Sequence, residues 1–237
     1  MRVLAIDTAL AACSAAVLDT ASGGIIGGES LPMLRGHAEA LMPLIARIME
    51  RARLAFADLD RVAVTTGPGS FTGLRVGISA ARGIGLAADK PVFGVTTLFA
   101  YAAPHLAEDD TVRVIAAIEA RRGQVYLQVF GPGGRGGLNA RLVPLSEAVQ
   151  AAGAAPAGSA PAGSAPCRLV GSAARSIVEQ LPPGTTAPLR VDPRDAPNID
   201  WVARMGAVLP EGQSPPKPQY LRAPDAQPQN AAQLPRR

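Results

Sequence analysis

The sequence predicts an α/β chain of two related lobes, the second reduced, and three observations carry that reading. The first 30 residues hold three short strand patterns joined by tight turns. A buried strand then runs into a glycine-rich turn and straight into a helix, across residues 61–88. A new hairpin pattern opens at residue 112 and starts a second lobe related to the first. With 237 residues, 48% hydrophobic and 4% aromatic, the chain can bury a core, built mainly from Ala, Val, Leu and Ile.

Val3 to Thr8 reads as a buried strand ending on Asp7-Thr8, which places an acid near the carboxyl end of a central strand. Ser14 to Leu18 and Ile25 to Ser30 follow across small-residue turns, completing an antiparallel meander. Leu41, Leu44, Ile45, Ile48 and Ala52 recur at helical spacing and predict a helix over about 37–53. Pro43 inside it is expected to bend the helix or to end its first turn. Met42, Ile45 and Met49 give that helix a second apolar side, open to another protein.

Arg61 to Thr66 is β-branched and apolar, a fourth strand buried on both faces. Gly67-Pro68-Gly69 must turn sharply, and Ser70 is placed to cap a helix running to about Ala88. A turn of this design either holds phosphate on free helix N–H groups or simply fixes the helix against the sheet. Gly73, Gly77 and Ala80 or Ala81 form a small-residue face at i, i+4 spacing. Since glycine inside a helix costs on the order of 1 kcal/mol, they imply close approach of another backbone. The candidates are the 37–53 helix or a helix of a second protein. Pro91 to Val95 is a fifth strand, and Thr97 to about Ala103 opens a further helix. This order, complete by about His105, is the ribonuclease-H-like plan of actin, sugar kinases and Hsp70-type ATPase lobes.

In the second half, Val112 to Ile118 and Gln124 to Phe130 form a hairpin around Glu119-Ala120-Arg121-Arg122-Gly123. Gly131 to Gly137 reads as a loop, 144–152 as a short helix, Cys167 to Gly171 as a strand and Ser172 to Leu181 as a helix. Ile199 to Val208 is a last helix, carrying the lone tryptophan, Trp201. The predicted division is a first lobe at 1–105 and a smaller lobe at 106–222. A flexible Ala/Pro/Gly/Ser insertion is expected near 152–166 and a disordered tail at 223–237.

Several functions are disfavoured. No run reaches membrane-spanning length, and Asp7 falls where a signal peptide would need apolar residues, so a cytoplasmic protein is expected. Cys13 and Cys167 show no metal spacing and read as ordinary thiols. His37 is followed four residues later by Leu41, which precludes a helical histidine pair, so no metal is expected. The turn lacks the Gly-Lys-Ser/Thr ending of a Walker motif, leaving Asp7, Gly67, Gly69 and Ser70 as candidate nucleotide-holding residues without that lysine. Neither Ser14 nor Ser70 has a His or Lys partner in a recognised order. Arg75, one turn into the helix, reads as solvated or salt-bridging, or as a contact to a binding partner.

Five motifs together resemble the bacterial TsaB (YeaZ) family of tRNA threonylcarbamoyladenosine biosynthesis proteins. They are Leu4-Ala5-Ile6-Asp7-Thr8, His37-x-Glu39 before Leu41-Met42-Pro43, the run Thr65 to Gly77, Glu119 to Tyr126, and Pro218-Gln219-Tyr220-Leu221-Arg222. The run from Thr65 is the specific one. Glu119 and Gln124 depart from the family pattern, which usually has Asp and Glu there, and the Ala/Pro/Gly/Ser insertion is foreign to it. The resemblance implies a non-catalytic scaffold or activator without a cofactor, paired with a TsaD-type transferase paralogue and joined by a TsaE-type ATPase. It implies tRNA as the substrate of the complex, and a homodimer is an option for the isolated chain. The implied interface is a first-lobe helical bundle, with His37, Leu41, Ile45, Ile48, Gly73, Leu74, Gly77 and Ile78 as its expected residues. The alternative is an independent ATP-dependent kinase or hydrolase of the same fold.

Overall fold

A computed structural model describes residues 1–153, 166–185, 188–210 and 215–222. The first sheet begins as the expected meander, β1 (Arg2–Asp7), β2 (Ala12–Asp19) and β3 (Gly24–Pro32). Asp7 pairs with Ser14, closing the first hairpin. After helix α1 (His37–Ala52), strand β4 (Arg61–Gly67) inserts parallel to β1, with Ile6 beside Val64. Helix α2 (Phe71–Ala88) and strand β5 (Val92–Thr96) complete the order β3-β2-β1-β4-β5, so Asp7 does end the central strand.

Helix α3 (Thr97–Glu108) leads into β6 (Arg113–Glu119) and β7 (Gln124–Phe130), followed by β8 (Gly137–Pro144), α4 (Leu145–Gly153), β9 (Cys167–Val170), α5 (Ala174–Glu179) and β10 (Arg190–Asp192). The second sheet runs β10-β9-β6-β7-β8, the order of the first sheet repeated. Glu119 therefore ends the central strand of the second sheet as Asp7 ends that of the first. The second unit is reduced in its helices: α5 has 6 residues where α2 has 18. The fold is the ribonuclease-H-like α/β plan in two copies.

Five layers result. Helices α1 and α2 cover one face of the first sheet through Leu41, Leu44, Ile45, Ile48 and Ile78, packed on Leu4, Ile6, Val62 and Val64. The other face receives Ala100 of α3 and the last helix, α6 (Ile199–Val208), through Ile199, Val202 and Ala203. Leu98, Tyr101 and Ala102 of the same α3 pack on Val114, Ala116 and Ile118 of the second sheet. Helices α4 and α5 cover its far side. A single helix thus belongs to the cores of both sheets.

Three buried arginines cap helix C-termini, where backbone carbonyls lack intrahelical partners and a cation also offsets the helix dipole. Arg61, at the start of β4, donates to the carbonyls of Gly206 at 3.1 Å and Leu209 at 2.9 Å and lies over the Phe93 ring, pinning the end of α6. Arg113, at the start of β6, does the same for Ala151 and Ala152 of α4, and Arg168 for His105 of α3.

The structure differs from the sequence reading in three places. Helix α6 and residues 215–222 pack on the first sheet, whereas the division at 105/106 put them with the second lobe. Helical periodicity shows an apolar stripe but not which sheet it covers, and Arg61 and Ala63 supply the local partners. Helix α3 continues through Pro104 to Glu108, because His105 is buried and Arg168 caps it. Strands β8 and β10 have no counterpart in the sequence reading, being short or largely exposed and held by backbone pairing. Helix α1 continues through Pro43, an exposed position, to Ala52. The bulk of the expected insertion, residues 154–165, and the tail at 223–237 lie outside the described residues. No helix among the described residues is long and apolar enough to cross a membrane.

Gly206 lies so close to β4 that an added Cβ would overlap the Ala63 side chain. Replacing it with Val is expected to cost about 1–3 kcal/mol in chemical denaturation, the usual range for overpacking a filled core.

Candidate functional site

The strand–glycine turn–helix junction forms as the residues require. Gly67 has a φ of 110°, in the region that side chains rarely adopt, and an added Cβ would meet the Gln219 carbonyl oxygen at 2.9 Å. Ser70 caps α2, its hydroxyl accepting from the Gly73 N–H at 3.3 Å.

What lies against the junction is the chain's own first hairpin. Ser70 N–H donates to the Ala9 carbonyl at 2.7 Å, and the Thr8 hydroxyl donates to the Gly73 carbonyl at 2.7 Å. Added side chains at Gly69, Gly73 and Gly77 would overlap the Ala9 carbonyl, the Thr8 carbonyl and the Thr8 hydroxyl respectively. The backbone whose close approach those glycines demand is therefore neither α1 nor a second protein. It is the turn between β1 and β2.

Asp7 is sealed beneath this joint. Its Oδ1 accepts from the Ala9 N–H at 3.0 Å and from the Thr65 hydroxyl, while Oδ2 is buried without a hydrogen-bond partner among the described residues. Burial raises its pKa above the ordinary aspartate value, against the two hydrogen bonds and the nearby His37, which lower it. A carboxylate aimed at a solvent cleft would look otherwise; this one caps its own turn. His37 Nε2 is paired with the Leu10 carbonyl at 3.1 Å, holding the same turn from α1. Burial, and then Asp7, push the Cys13 thiol up to about 11, which keeps it protonated at neutral pH and unsuited to nucleophilic attack.

The eight expected interface residues are all buried: His37, Leu41, Ile45 and Ile48 of α1, and Gly73, Leu74, Gly77 and Ile78 of α2. They form the chain's own core rather than a partner surface. An apolar or small-residue stripe signals close packing without saying what packs. Burying a large aliphatic side chain such as Ile45 contributes about 1.5–3 kcal/mol, so a charge there would unfold the lobe rather than probe a partner. The outward residues of the two helices include Ala38, Glu39, Met42, Pro43, Ala46, Glu50 and Arg51 on α1, and Arg75, Ser79, Arg82, Gly83, Leu86 and Ala87 on α2. Met49, expected on an open side, is also buried.

A cavity of about 540 Å³ lies between the turns of the two sheets, lined by Pro68 to Thr72 on one side and Glu119 to Arg121 and Tyr126 on the other. Residues 219–222 line it as well. Gln219 N–H donates to the Thr66 carbonyl at 2.7 Å, Tyr220 stacks on Phe71, and Arg75 Nε donates to the Tyr220 hydroxyl at 3.0 Å. Arg75 thus bonds within the chain, across a sequence separation of 145 that gave no signal in the sequence. Glu119 is tied to the α5 region, its N–H donating to Ser172 Oγ and its carboxylate accepting from Ser176 Oγ.

A family model described as "TsaD: tRNA N6-adenosine threonylcarbamoyltransferase" matches residues 15–135. The chain is 39% identical over 126 residues to the tRNA threonylcarbamoyladenosine biosynthesis protein TsaB of Escherichia coli (strain K12), covering 53% of each chain. It is 36% identical to the protein of the same name from Haemophilus influenzae, covering 53% of this chain and 52% of that one. The solved structure of YeaZ from Pseudomonas aeruginosa superposes with a TM-score of 0.73 at 27% identity, covering 93% of this chain and 99% of that one. The chain belongs to the TsaB/YeaZ group of the TsaD family. The sequence matches span about half the length of the curated TsaB relatives, whereas the structural match to YeaZ extends over nearly the whole fold.

The joint makes the two glycine types of α2 behave oppositely. Gly73→Ala in this TsaB/YeaZ-group chain is expected to lower stability by about 2 kcal/mol or more through overlap with the Thr8 carbonyl. Gly83→Ala, with open space around it, is expected to raise stability by about 0.5–1 kcal/mol. Thermal or urea melts of the two variants check the contrast. For Asp7, the folded-state pKa lies above the unfolded value, so its contribution is lost as pH rises through the folded pKa. Asp7→Asn is expected to gain on the wild type as pH rises above 4, levelling once the buried carboxyl has ionised, as read from paired melts between pH 4 and 8.

Proposed function

We propose that this chain is a non-catalytic activator subunit in formation of N6-threonylcarbamoyladenosine in tRNA, docking a TsaD-type transferase through the outward faces of α1 and α2. The observation that carries the reading is the character of that face. Beyond the buried stripes, α1 and α2 expose Ala46, Ser79, Gly83 and Ala87 together with Met42, 47% exposed, and Leu86, 86% exposed. Small residues let a partner helix approach closely, and exposed Met and Leu supply apolar surface that water disfavours. Glu39 and Glu50 on α1 and Arg75 and Arg82 on α2 also point outward, giving the polar rim common at protein interfaces.

The non-catalytic part rests on the joint. Asp7 caps its own turn, and the glycine turn wraps Thr8 and Ala9. The first and second units read as two lobes, with α3 in both cores, an arrangement that opposes hinge opening of the cleft. The TsaE-type ATPase and the tRNA would join the assembled pair, and a second copy of the chain would use the same helical face when the transferase is absent.

Ala46→Arg and Gly83→Arg place a bulky cation on the docking face at exposed positions, so both variants should melt close to the wild type. Each is expected to weaken co-purification with the transferase, and threonylcarbamoylation of tRNA by the reconstituted components, about tenfold or more, because an unpaired charge would be buried at the contact. Normal binding and normal modification in both variants would contradict the assignment.

A further inference from the structure

The tip of the β6–β7 hairpin carries charge that its own turn does not require. Glu119 pairs with Val125, and Ala120 N–H donates to the Gln124 carbonyl at 2.8 Å, closing the hairpin around Arg121, Arg122 and Gly123. Arg122 and Gly123 both have positive φ, 63° and 66°. Two successive left-handed residues make a tight hairpin turn that Asn-Gly fills best. Gly123 meets that demand. Arg122 does not, since a long side chain in the left-handed region costs stability that Asn would largely spare. The conformation of the turn therefore does not account for an arginine there. Both arginines are exposed, and neither guanidinium has a partner among the described residues.

A third exposed arginine stands beside them. Glu119 N–H donates to Ser172 Oγ at 2.9 Å and its carboxylate accepts from Ser176 Oγ at 3.1 Å, which fastens the hairpin to α5. Arg175 immediately precedes Ser176, is exposed, and likewise has no partner among the described residues. The nearby carboxylates leave this charge uncancelled. Glu119 is the one acid at the tip, and Glu147 is paired with Arg141 at 2.6 Å. Glu179 lies one turn beyond Arg175, about 6 Å along the helix. No large apolar side chain is exposed on the hairpin tip or on α5, so the surface lacks the anchor that a protein or lipid partner would use. Guanidinium groups on a polar surface suit a ligand recognised through repeated phosphates.

We propose that this arginine tip, formed by Arg121, Arg122 and Arg175 on the second unit, holds the phosphate backbone of an RNA strand. The turn retains Arg122 at a cost in stability because its charge is used outward. Nothing has to enter the cavity, which neither Arg122 nor Arg175 lines. The choice of RNA among polyanions rests on the tRNA-modifying role proposed above, whereas the contact itself needs only this chain.

The test uses the isolated full chain, so a failure of transferase docking leaves its outcome unaffected. Two labelled, unstructured twelve-nucleotide RNAs of unrelated sequence are titrated by anisotropy across a salt series. Binding that weakens with salt is expected. Arg121→Gln, Arg122→Gln and Arg175→Gln are each expected to weaken both RNAs alike, about threefold to tenfold. Each should also make the slope of log affinity against log salt shallower by about 0.7, the loss of one phosphate contact. Arg135→Gln, beyond the opposite end of β7, is expected to change neither. Arg122→Asn separates contact from architecture: it should raise the thermal midpoint by relaxing the turn, yet weaken RNA as the Gln variant does. Absence of RNA binding at low salt, or binding indifferent to the three substitutions, would overturn the proposal. So would a poly-glutamate peptide of matched charge that binds as tightly with the same arginine dependence.

Discussion

The packing of Thr8 and Ala9 into the glycine face of α2 is the contact on which the rest of the first sheet's arrangement depends. It joins the end of the central strand to the start of the longest helix through two hydrogen bonds and three side-chain-free positions. Larger residues at Gly69, Gly73 or Gly77 would push α2 off the sheet, and the stripe Leu74, Ile78 and Ala81 with it. The helix interior gives up propensity at each glycine, and the close approach it permits lets Asp7 be sealed and α2 lie flat. One local constraint therefore sets where α2 lies, which of its sides is buried and which stays exposed.

The duplication explains the remaining layout. Two sheets of the same strand order face each other across α3 and α6, and buried arginines at the starts of β4, β6 and β9 tie helix ends to strand beginnings. The cleft lies between the turns that follow the two central strands, with Leu10 and Pro68 to Thr72 on one side and Glu119 to Arg121 on the other. In the first unit that end is buried under its own hairpin. In the second, Glu119 is exposed and anchored by serines of the following turn and helix. The C-terminal residues 219–222 then line the same opening and convert part of it from a hinge region into a braced wall.

Much of this was legible in the sequence because it is written locally. The meander, the α1 stripe from Leu41 to Ile48, the Ser70 cap and the hairpin around Glu119 each follow from spacing within a few residues. What was not legible depends on distant partners. Nothing near Gly73 says that the backbone it admits is Thr8, 65 residues earlier. Helical periodicity in α6 cannot say that its target is Ala63, and Arg75 gives no local hint of Tyr220. The same limit hid the burial of the expected interface residues: Ile45 and Gly77 satisfy a docking pattern and a core pattern equally, and only the tertiary packing shows both to be core while Ala46 and Gly83 are exposed.

Hydrogen–deuterium exchange of the chain alone and in complex with the TsaD-type transferase tests the central claim most directly, that the glycine junction is an internal joint while α1 and α2 present the docking face. The account predicts slowed exchange across 38–50 and 75–87, with little change at 65–70, where the joint is already closed in the free chain. Unchanged exchange in the two helices, with new protection at the glycine turn, would contradict it.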